Sequence, residues 1–214
     1  MMGSDNQQLS HRLPLPNLVS FIALFLAWGG ILFLLNGRFY FSFSIILLAF
    51  IADFADGFLA RRLRLETPVG RHLDSHVDVF VHLIYPALAL YVFVNLRDPI
   101  SVSILFVFLA CGIFRLARFN VAGYVAHPKG AQAYTGLPVV FSQLVLLIVV
   151  TWKALAVPHV AVAANGLILV SAVLMVQRFP FPKPGRILPF VAVLVLLSIA
   201  MFGLGYHELN QLPK

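Results

Sequence analysis

The sequence predicts an all-α protein that crosses a membrane several times. Of its 214 residues, 61% are hydrophobic and 11% are charged, whereas soluble domains are about half apolar and a quarter charged. Runs of about 18 or more apolar residues recur, and each is long enough to cross the ~30 Å hydrocarbon core as a helix. These runs are too long and continuous for the alternating strands of a membrane barrel, so we expect helices.

Seven apolar segments follow one another along the chain, and polar joins separate them. The first three end at NGR (36–38), at LETPVGR (65–71) and at NLRDP (95–99), which combine glycine or proline with charged residues. The fourth ends before AHPKG (126–130), and RFPFPKPGR (178–186) separates the sixth from the seventh. The segments lie near residues 16–36, 39–62, 72–95, 99–118, 134–154, 158–177 and 187–205.

Basic residues predict the orientation of these segments. With the N-terminus in the cytoplasm, eleven Lys and Arg residues fall on the cytoplasmic side and four on the far side, as the positive-inside rule requires. We therefore expect one integral-membrane domain over residues 1–214, with residues 1–14 as a short cytoplasmic tail. The eleven are Arg12, Arg61, Arg62, Arg64, Arg71, Arg115, Arg118, Lys129, Arg178, Lys183 and Arg186; the four are Arg38, Arg97, Lys153 and Lys214.

Composition also excludes some functions. A net charge of +7 could indicate nucleic acid, but in a membrane chain it more often reflects topology and anionic lipid headgroups, so no nucleic-acid partner is expected. The single cysteine, Cys111, excludes an intramolecular disulfide and is interpreted as a packing residue. No charged region followed by a cleavable apolar core opens the sequence, so no signal peptide is expected.

Four of the eight acidic residues fall inside predicted spans. They are Asp53, Asp56, Asp74 and Asp78. A carboxylate near the hydrocarbon costs a few kcal/mol, so it normally faces a polar cavity or a cation. The first two are three residues apart and the last two four apart, so each pair shares a helix face. Because one pair ends the second span and the other begins the third, a helical hairpin would bring them together.

Two interpretations of these carboxylates remain open. Ion pairs with nearby arginines would neutralise them, but would not explain the helical spacing on both flanks. Mg²⁺ and Mn²⁺ prefer oxygen ligands, and two such ions about 3.5–4 Å apart can clamp both sides of a phosphoryl displacement. The spacing favours a site for two divalent cations, Mg²⁺ or Mn²⁺. The arginines of the other interpretation are Arg61, Arg62, Arg64 and Arg71.

Small residues and an arginine surround the first pair of aspartates. Gly57 inside a helix indicates close approach of a ligand or of another helix, and small-residue packing with Ala60 would explain it equally well. Arg61 follows Asp53 by just over two helical turns, so it could reach a phosphate beside the cations or anchor the helix at the membrane surface.

Taken together, the stretch has the pattern D-x2-D-G-x2-A-R-x8-G-x3-D-x3-D over 26 residues. This pattern closely resembles the signature of the CDP-alcohol phosphatidyltransferases, which transfer a phosphatidyl group from a CDP-linked lipid to an alcohol and release CMP. The resemblance implies a core of six membrane helices, so the seventh segment would be a C-terminal addition. It further implies that pairs of copies can form a homodimer.

The resemblance also implies roles for the individual residues of the signature. The four aspartates would surround two divalent ions, with Asp74 and Asp78 counted as catalytic and Asp78 as the general base. The cytidine diphosphate portion would be seated by Asp56 and the other fixed positions. These are Gly57, Ala60, Arg61 and Gly70.

Other segments resemble the phosphatidylserine synthase branch of the family. They are CGIFRLARFN (111–120), YTGLPVV (134–140) and RFPFPKP (178–184), and LPNLVS (15–20) resembles the start of the first helix across the family. One stretch departs: after the last aspartate that branch has a sequence close to DVVSFGVAPA, whereas this chain has DVFVHLIYPA (78–87). Val81, His82 and Leu83 therefore stand at the S-F-G positions, which makes the acceptor less certain than the chemistry.

A serine acceptor carries a carboxylate, for which the fourth segment offers cations. Arg115 and Arg118 are three residues apart near its cytoplasmic end, and Asn120 follows. Arginine binds carboxylates through two parallel hydrogen bonds, although positive-inside anchoring would also explain both residues. We predict that this trio lines the acceptor pocket, and that CDP-diacylglycerol and serine are the substrates.

Three alternatives remain at this point. The same transfer could use glycerol phosphate, inositol phosphate or choline as acceptor. A cation transporter could use intramembrane aspartates, but these should then line a path rather than cluster towards one side. A non-catalytic lipid-binding protein would normally have lost an aspartate, and none is missing. We expect a multi-pass protein of the cell (inner) membrane, with membrane lipids around it. Its active site should face the cytoplasm.

Overall fold

The computed structural model describes residues 15–65, 67–123, 125–126, 132–182 and 188–210, so the N-terminal tail predicted over residues 1–14 lies outside it. Within these residues the chain forms seven helices and a small sheet, which confirms the predicted helical class. The helices are α1 (Leu15–Leu35), α2 (Phe39–Leu63), α3 (Pro68–Val92), α4 (Pro99–Ala122), α5 (Phe141–Ala154), α6 (Val160–Val176) and α7 (Leu188–Asn210). The strands are β1 (Val125–Ala126), β2 (Gln132–Thr135) and β3 (Pro180–Pro182).

The first four helices are long and apolar enough to cross a membrane. Among the described residues, α5 and α6 are shorter, with 14 and 17 residues. At 1.5 Å per residue, α5 is only about 21 Å long, so it is shorter than the hydrocarbon core is thick. Each predicted segment corresponds to one helix, but the fifth begins at Phe141 rather than at residue 134 because the preceding residues form β2 and a turn.

The α1–α2 hairpin packs most closely through Gly30. A Cβ atom at this position would lie 2.8 Å from the side chain of Ile46 and 3.3 Å from the carbonyl oxygen of Ser42. The Ser42 hydroxyl donates to the Gly30 carbonyl at 2.6 Å and lies 2.9 Å from the buried Tyr85 hydroxyl of α3. A small residue on α1 and a hydroxyl on α2 thus hold three helices together, as is typical of membrane bundles.

Helix α3 contains a π-helical turn, Val79–Ile84, between α-helical Pro68–Asp78 and Tyr85–Val92. In this turn the N–H of Tyr85 donates to the carbonyl of Phe80, five residues earlier. The next carbonyl, that of Val81, would pair with residue 86, but Pro86 has no N–H. Gln143 of α5 donates to the Val81 carbonyl at 2.6 Å instead, so the turn depends on a side chain from another helix.

Helix α4 begins with a side-chain cap. Asp98 accepts from the N–H groups of Ile100 and Ser101 at 3.1 and 3.0 Å, and the Ser101 hydroxyl also donates to it. These hydrogen bonds, the hydroxyl bond foremost, lower the pKa of the exposed Asp98 carboxyl below its usual value. Asn165 of α6 donates to the Ser101 hydroxyl oxygen at 2.8 Å, which ties the start of α4 to its neighbour.

The seventh helix packs against α2, at a distance in the sequence of more than 120 residues. Ser44 and Ser198 exchange hydrogen bonds between the two helices, each hydroxyl donating to the other residue's carbonyl at 2.9 and 3.0 Å. The rings of Phe41 and Phe202 meet edge to face at 5.1 Å. The C-terminal helix is therefore joined to the helix that carries the first two aspartates.

The strands form an antiparallel sheet in the order β1-β2-β3. Gly136, at the end of β2, has φ +73°, and a Cβ atom there would lie 2.6 Å from the carbonyl oxygen of Gln177. A side chain at this position would therefore be strained and would clash with the end of α6. The sheet was not predicted, because strands of two to four residues leave no periodic pattern.

Candidate active site

The α2–α3 hairpin brings the four aspartates together. Carboxylate oxygens of Asp53, Asp56 and Asp74 lie within 4.8 Å of one another, and so do ligand atoms of Asp53, Asp78 and His82. Asp53 is common to both groups, so they are adjacent. The predicted convergence of two helix faces is thus present in the structure.

The burial of these carboxylates indicates that the site requires positive charge. Asp53 is 7% and Asp56 3% exposed, while Asp74 and Asp78 are half-buried. Oxygen Oδ1 of Asp53 has no hydrogen-bond partner among the described residues. Burying several carboxylates close together is costly unless cations compensate their charge. The arrangement of clustered oxygens with an orphaned acceptor fits a hard divalent cation.

The structure does not favour the interpretation based on ion pairs with arginine. Within the described residues, an ion pair with these carboxylates is open to His82, whose Nε2 atom lies 3.6 Å from Asp53 and from Asp78 and whose ring is charged only when protonated. None of the four arginines of that interpretation forms one with the aspartates. Those arginines, Arg61, Arg62, Arg64 and Arg71, are all exposed.

Gly57 faces the guanidinium of Arg61, on its own helix, rather than a neighbouring helix. The nearest atoms to a Cβ placed there would belong to the guanidinium of Arg61, at 3.4 Å and beyond. Helix packing among the described residues therefore gives no reason for a glycine at this position. The guanidinium lies over the helix face beside Asp56, where an anionic ligand could reach it. Ala60, one turn along the same face, is half-buried.

Gly70 differs from Gly57, because another helix does approach it. A Cβ at Gly70 would lie 3.0 Å from the side-chain oxygens of Asn17 and of Thr67. Thr67 caps α3 by accepting from the Gly70 N–H at 2.9 Å. Gly70 thus lets the start of α1 approach the start of α3.

The start of α1 also contacts the aspartates directly. The hydroxyl of buried Ser20 donates to the carboxylate of Asp56. Sequence reasoning missed this residue and also Asn17, although both lie in LPNLVS. A polar side chain at the start of an otherwise apolar span was the available signal, since such residues normally find a partner inside the bundle.

The three residues of the predicted acceptor trio have different partners in the structure. Arg115 is 4% exposed, and its guanidinium carbon lies 5.5 and 5.6 Å from the ring centres of Phe119 and Tyr134. It is close enough to Asp78 and His82 to interact with them electrostatically. Asn120 accepts from the Ser75 hydroxyl at 2.9 Å. Ser75 lies between the two aspartates of α3 in the sequence.

Arg118 has a different set of partners. Its guanidinium donates to the carbonyl of Val176 at 2.7 Å and to those of Thr135 and Met175 at 3.2 Å, with a longer contact to Gln177. These bonds satisfy the carbonyl groups at the end of α6 and fix β2 against it. Arg118 borders the same small cavity as Arg115, but both of its terminal nitrogens already donate to backbone carbonyls.

Of the three histidines near the aspartates of α3, His82 lies deepest in the site. Its Nε2 atom is 3.6 Å from Asp53 Oδ2 and 3.6 Å from Asp78 Oδ1. His72 and His76, in contrast, are exposed, and His76 Nδ1 lies 2.6 Å from the carbonyl of His72. The stretch that departs from the serine-synthase pattern therefore places a histidine beside the aspartates.

Comparison with known proteins identifies the group to which this arrangement belongs. The model of a family described as CDP-alcohol phosphatidyltransferase matches residues 13–177. A CDP-diacylglycerol–serine O-phosphatidyltransferase of Methanocaldococcus jannaschii is 31% identical over 78% of this chain and 77% of that protein. A Helicobacter pylori protein of the same name is 27% identical over 86% and 80%. An archaetidylserine synthase of Methanothermobacter thermautotrophicus is 25% identical over 84% and 74%.

Proposed function

The chain belongs to the CDP-alcohol phosphatidyltransferase family, and we propose that it transfers the phosphatidyl group of CDP-diacylglycerol to the hydroxyl of L-serine. The products are phosphatidylserine and CMP. The observation that carries the proposal is the group of four aspartates around Asp53, with the cationic Arg115 beside Asp78. The names of relatives at 25–31% identity support serine as the acceptor.

The four aspartates would hold two divalent cations, Mg²⁺ or Mn²⁺. When bound, such ions neutralise pyrophosphate charge and the charge that develops on the departing CMP. Ser20 orients the Asp56 carboxylate by donating to it from α1. Gly57 lets the guanidinium of Arg61 lie along the helix face beside Asp56. Arg61 and Gly70 would help to seat the cytidine diphosphate portion, as the family resemblance implies.

Asp78 acts as the general base of the transfer. It accepts the proton of the serine hydroxyl while the hydroxyl oxygen bonds to the phosphorus that carries the diacylglycerol. The bond from that phosphorus to the bridging oxygen breaks, and CMP leaves with the electron pair. A carboxylate is a weak base near its reference pKa of about 3.9, so positioning against the hydroxyl contributes most of its effect.

Arg115 binds the carboxylate of serine. Its guanidinium lies against two aromatic faces, and this cation–π arrangement holds the fork in one orientation. A planar guanidinium can form two parallel hydrogen bonds with a carboxylate, which glycerol phosphate, inositol phosphate and choline do not carry. Asn120 lies close by, bonded to Ser75, whereas Arg118 supports the pocket by holding β2 against α6.

We further place the protein in the cell (inner) membrane with the site facing the cytoplasm, because basic residues accumulate at the end of the bundle that holds the aspartates. Pairing of two copies stays a prediction from the family resemblance. The transporter alternative is less well supported, because the acidic side chains cluster at one end rather than along a path.

The test is CMP release by purified protein supplied with CDP-diacylglycerol, Mg²⁺ or Mn²⁺ and one alcohol at a time. We expect release with serine and none with glycerol phosphate, inositol phosphate or choline. Chelation with EDTA should abolish release, and either ion should restore it. Release with another alcohol but not with serine would overturn the acceptor and keep the reaction class. Release that persists in EDTA would overturn the metal requirement.

A further inference from the structure

We propose that His82 is a nitrogen ligand of the metal centre, so that one cation is bound by a mixed set of nitrogen and oxygen donors. The inference rests on the proposed function, because both require cations at the aspartates. It assigns a role to the stretch at which this chain departs from the serine-synthase pattern, where Phe is replaced by His.

The ring nitrogens of His82 are fully buried without a hydrogen-bond partner among the described residues. A buried polar group without a partner is costly, and nearly all such groups in proteins are satisfied. Its ring lies edge-on to Phe50, with ring centres 4.5 Å apart, so the orientation is fixed by packing.

The distances at His82 match a shared cation better than a direct hydrogen bond. Its Nε2 atom is 3.6 Å from one oxygen of Asp53 and 3.6 Å from one oxygen of Asp78. A hydrogen bond from nitrogen to oxygen spans about 2.7–3.2 Å, so both separations are too long. Adjacent ligands about 2.1 Å from an octahedral ion are ~3.0 Å apart and opposite ligands ~4.2 Å apart, so the observed separations lie within the range of a shared ion.

The backbone of α3 explains how His82 reaches this position. The residue lies in the π-helical turn Val79–Ile84, which widens the helix directly after Asp78. Such turns occur frequently at functional sites. Gln143 fixes this turn through the carbonyl of Val81, the residue before His82. Helices α3 and α5 together therefore fix the position of His82.

A nitrogen donor changes which ion the site prefers. Carboxylates suit Mg²⁺ and Mn²⁺ alike, whereas imidazole favours transition metals over Mg²⁺. The site formed by Asp53, Asp78 and His82 should therefore prefer Mn²⁺ to Mg²⁺. The second group, Asp53 with Asp56 and Asp74, contains oxygen donors alone and should discriminate less.

Pulsed electron paramagnetic resonance tests this directly. Untagged protein is loaded with Mn²⁺ alone, without nucleotide, and nitrogen coupling to the bound ion is measured. We expect a ¹⁴N coupling that changes to the ¹⁵N pattern when the protein is made with ¹⁵N-labelled histidine. His82→Phe should lose the coupling. The matched control His76→Phe, one to two turns earlier and exposed, should keep it.

A binding measurement complements the spectrum. His82→Phe should weaken Mn²⁺ binding about tenfold or more, on the scale of losses at metal sites, and weaken Mg²⁺ binding much less. Wild-type protein that binds Mn²⁺ without nitrogen coupling would overturn the inference and leave the proposed function standing. Protein that binds neither Mn²⁺ nor Mg²⁺ would overturn both. The wild-type spectrum decides the question even where the variant does not fold.

Discussion

At the scale of single residues, Asp53 has a position that no other aspartate shares. It belongs to both groups of potential ligands, and one of its oxygens has no hydrogen-bond partner among the described residues. A carboxylate has two oxygens and can bridge two ions, whereas Asp56 and Asp78 each belong to one group. The two groups of potential ligands therefore meet at one residue of α2.

Asp78→Asn tests the proposed base. The amide keeps the volume of the side chain but cannot accept the hydroxyl proton, so transfer should fall by at least about 10²–10⁴-fold. The variant should remain folded and inserted, which gel filtration in detergent would show. The control Asp98→Asn makes the same change at the opposite end of the bundle, where asparagine is an equally good helix cap. Near-normal turnover of Asp78→Asn would remove Asp78 from the base role.

Arg115→Lys tests the binding of the acceptor carboxylate. Lysine keeps the charge but loses the planar fork, and one charge-assisted hydrogen bond is worth about 1.5 kcal/mol. The KM for serine should therefore rise about tenfold, while the KM for CDP-diacylglycerol changes little. Arg97→Lys, at an exposed position on the far end, is the control. Equal changes in both KM values would show that Arg115 shapes the site as a whole rather than binding serine.

The aspartates could be predicted from the sequence because their evidence is local. Charges spaced three and four residues apart on apolar helices stand out in any membrane chain. Ser20 and Arg118 could not be assigned in this way, since their partners lie 36 and 58 residues away. Arg118 shares its residue type and helix with Arg115, and only the fold shows that Arg115 lies near Asp78 whereas Arg118 caps α6.

At the scale of elements, α3 depends on its neighbour α5. Gln143→Met removes the donor to the Val81 carbonyl while keeping similar length, and Pro86 cannot replace it. Hydrogen bonds between membrane helices contribute about 0.6–1.7 kcal/mol, so we expect a loss of unfolding free energy of that size, measured by denaturation in detergent. Activity should fall as well, because the turn positions Asp78 and His82.

A matched variant isolates this effect. Thr151→Val on the same helix removes a hydroxyl that donates only to Leu147 of its own helix, at an exposed position. It should leave both stability and activity nearly unchanged. Equal stability of the two variants would show that the Val81 carbonyl finds another partner.

The sequence predicts helices well where they are long and less well where they are interrupted. Runs of 21 to 25 largely apolar residues identify α1, α2 and α4. The π-helical turn in α3 was not predicted, because Pro86 marks an irregularity without saying which helix will compensate for it. The late start of α5 was missed for a similar reason: the residues before it are apolar enough for a helix, yet Tyr134 and Thr135 pair with β3 and residues 136–140 form a turn.

At the scale of the whole molecule, the ends of the bundle differ in charge. Because consecutive helices run antiparallel, the end of α2 and the start of α3 lie at the same end as the finish of α4 and of α6. Among the described residues, seven basic residues lie near this end and three near the other. The seven are Arg61, Arg62, Arg64, Arg71, Arg115, Arg118 and Arg178; the three are Arg38, Arg97 and Lys153.

This asymmetry predicts that the aspartate-bearing end faces the cytoplasm. Replacing Cys111 by serine gives a chain without cysteine, into which Val69→Cys and Asn36→Cys are introduced singly at exposed positions of opposite ends. Both are neutral residues, so the charge count that sets the orientation is unchanged. In sealed vesicles, a membrane-impermeant maleimide should label Val69→Cys from the cytoplasmic face and Asn36→Cys from the other. A permeant maleimide, which should label both, is the control, and the reverse pattern would place the active site outside.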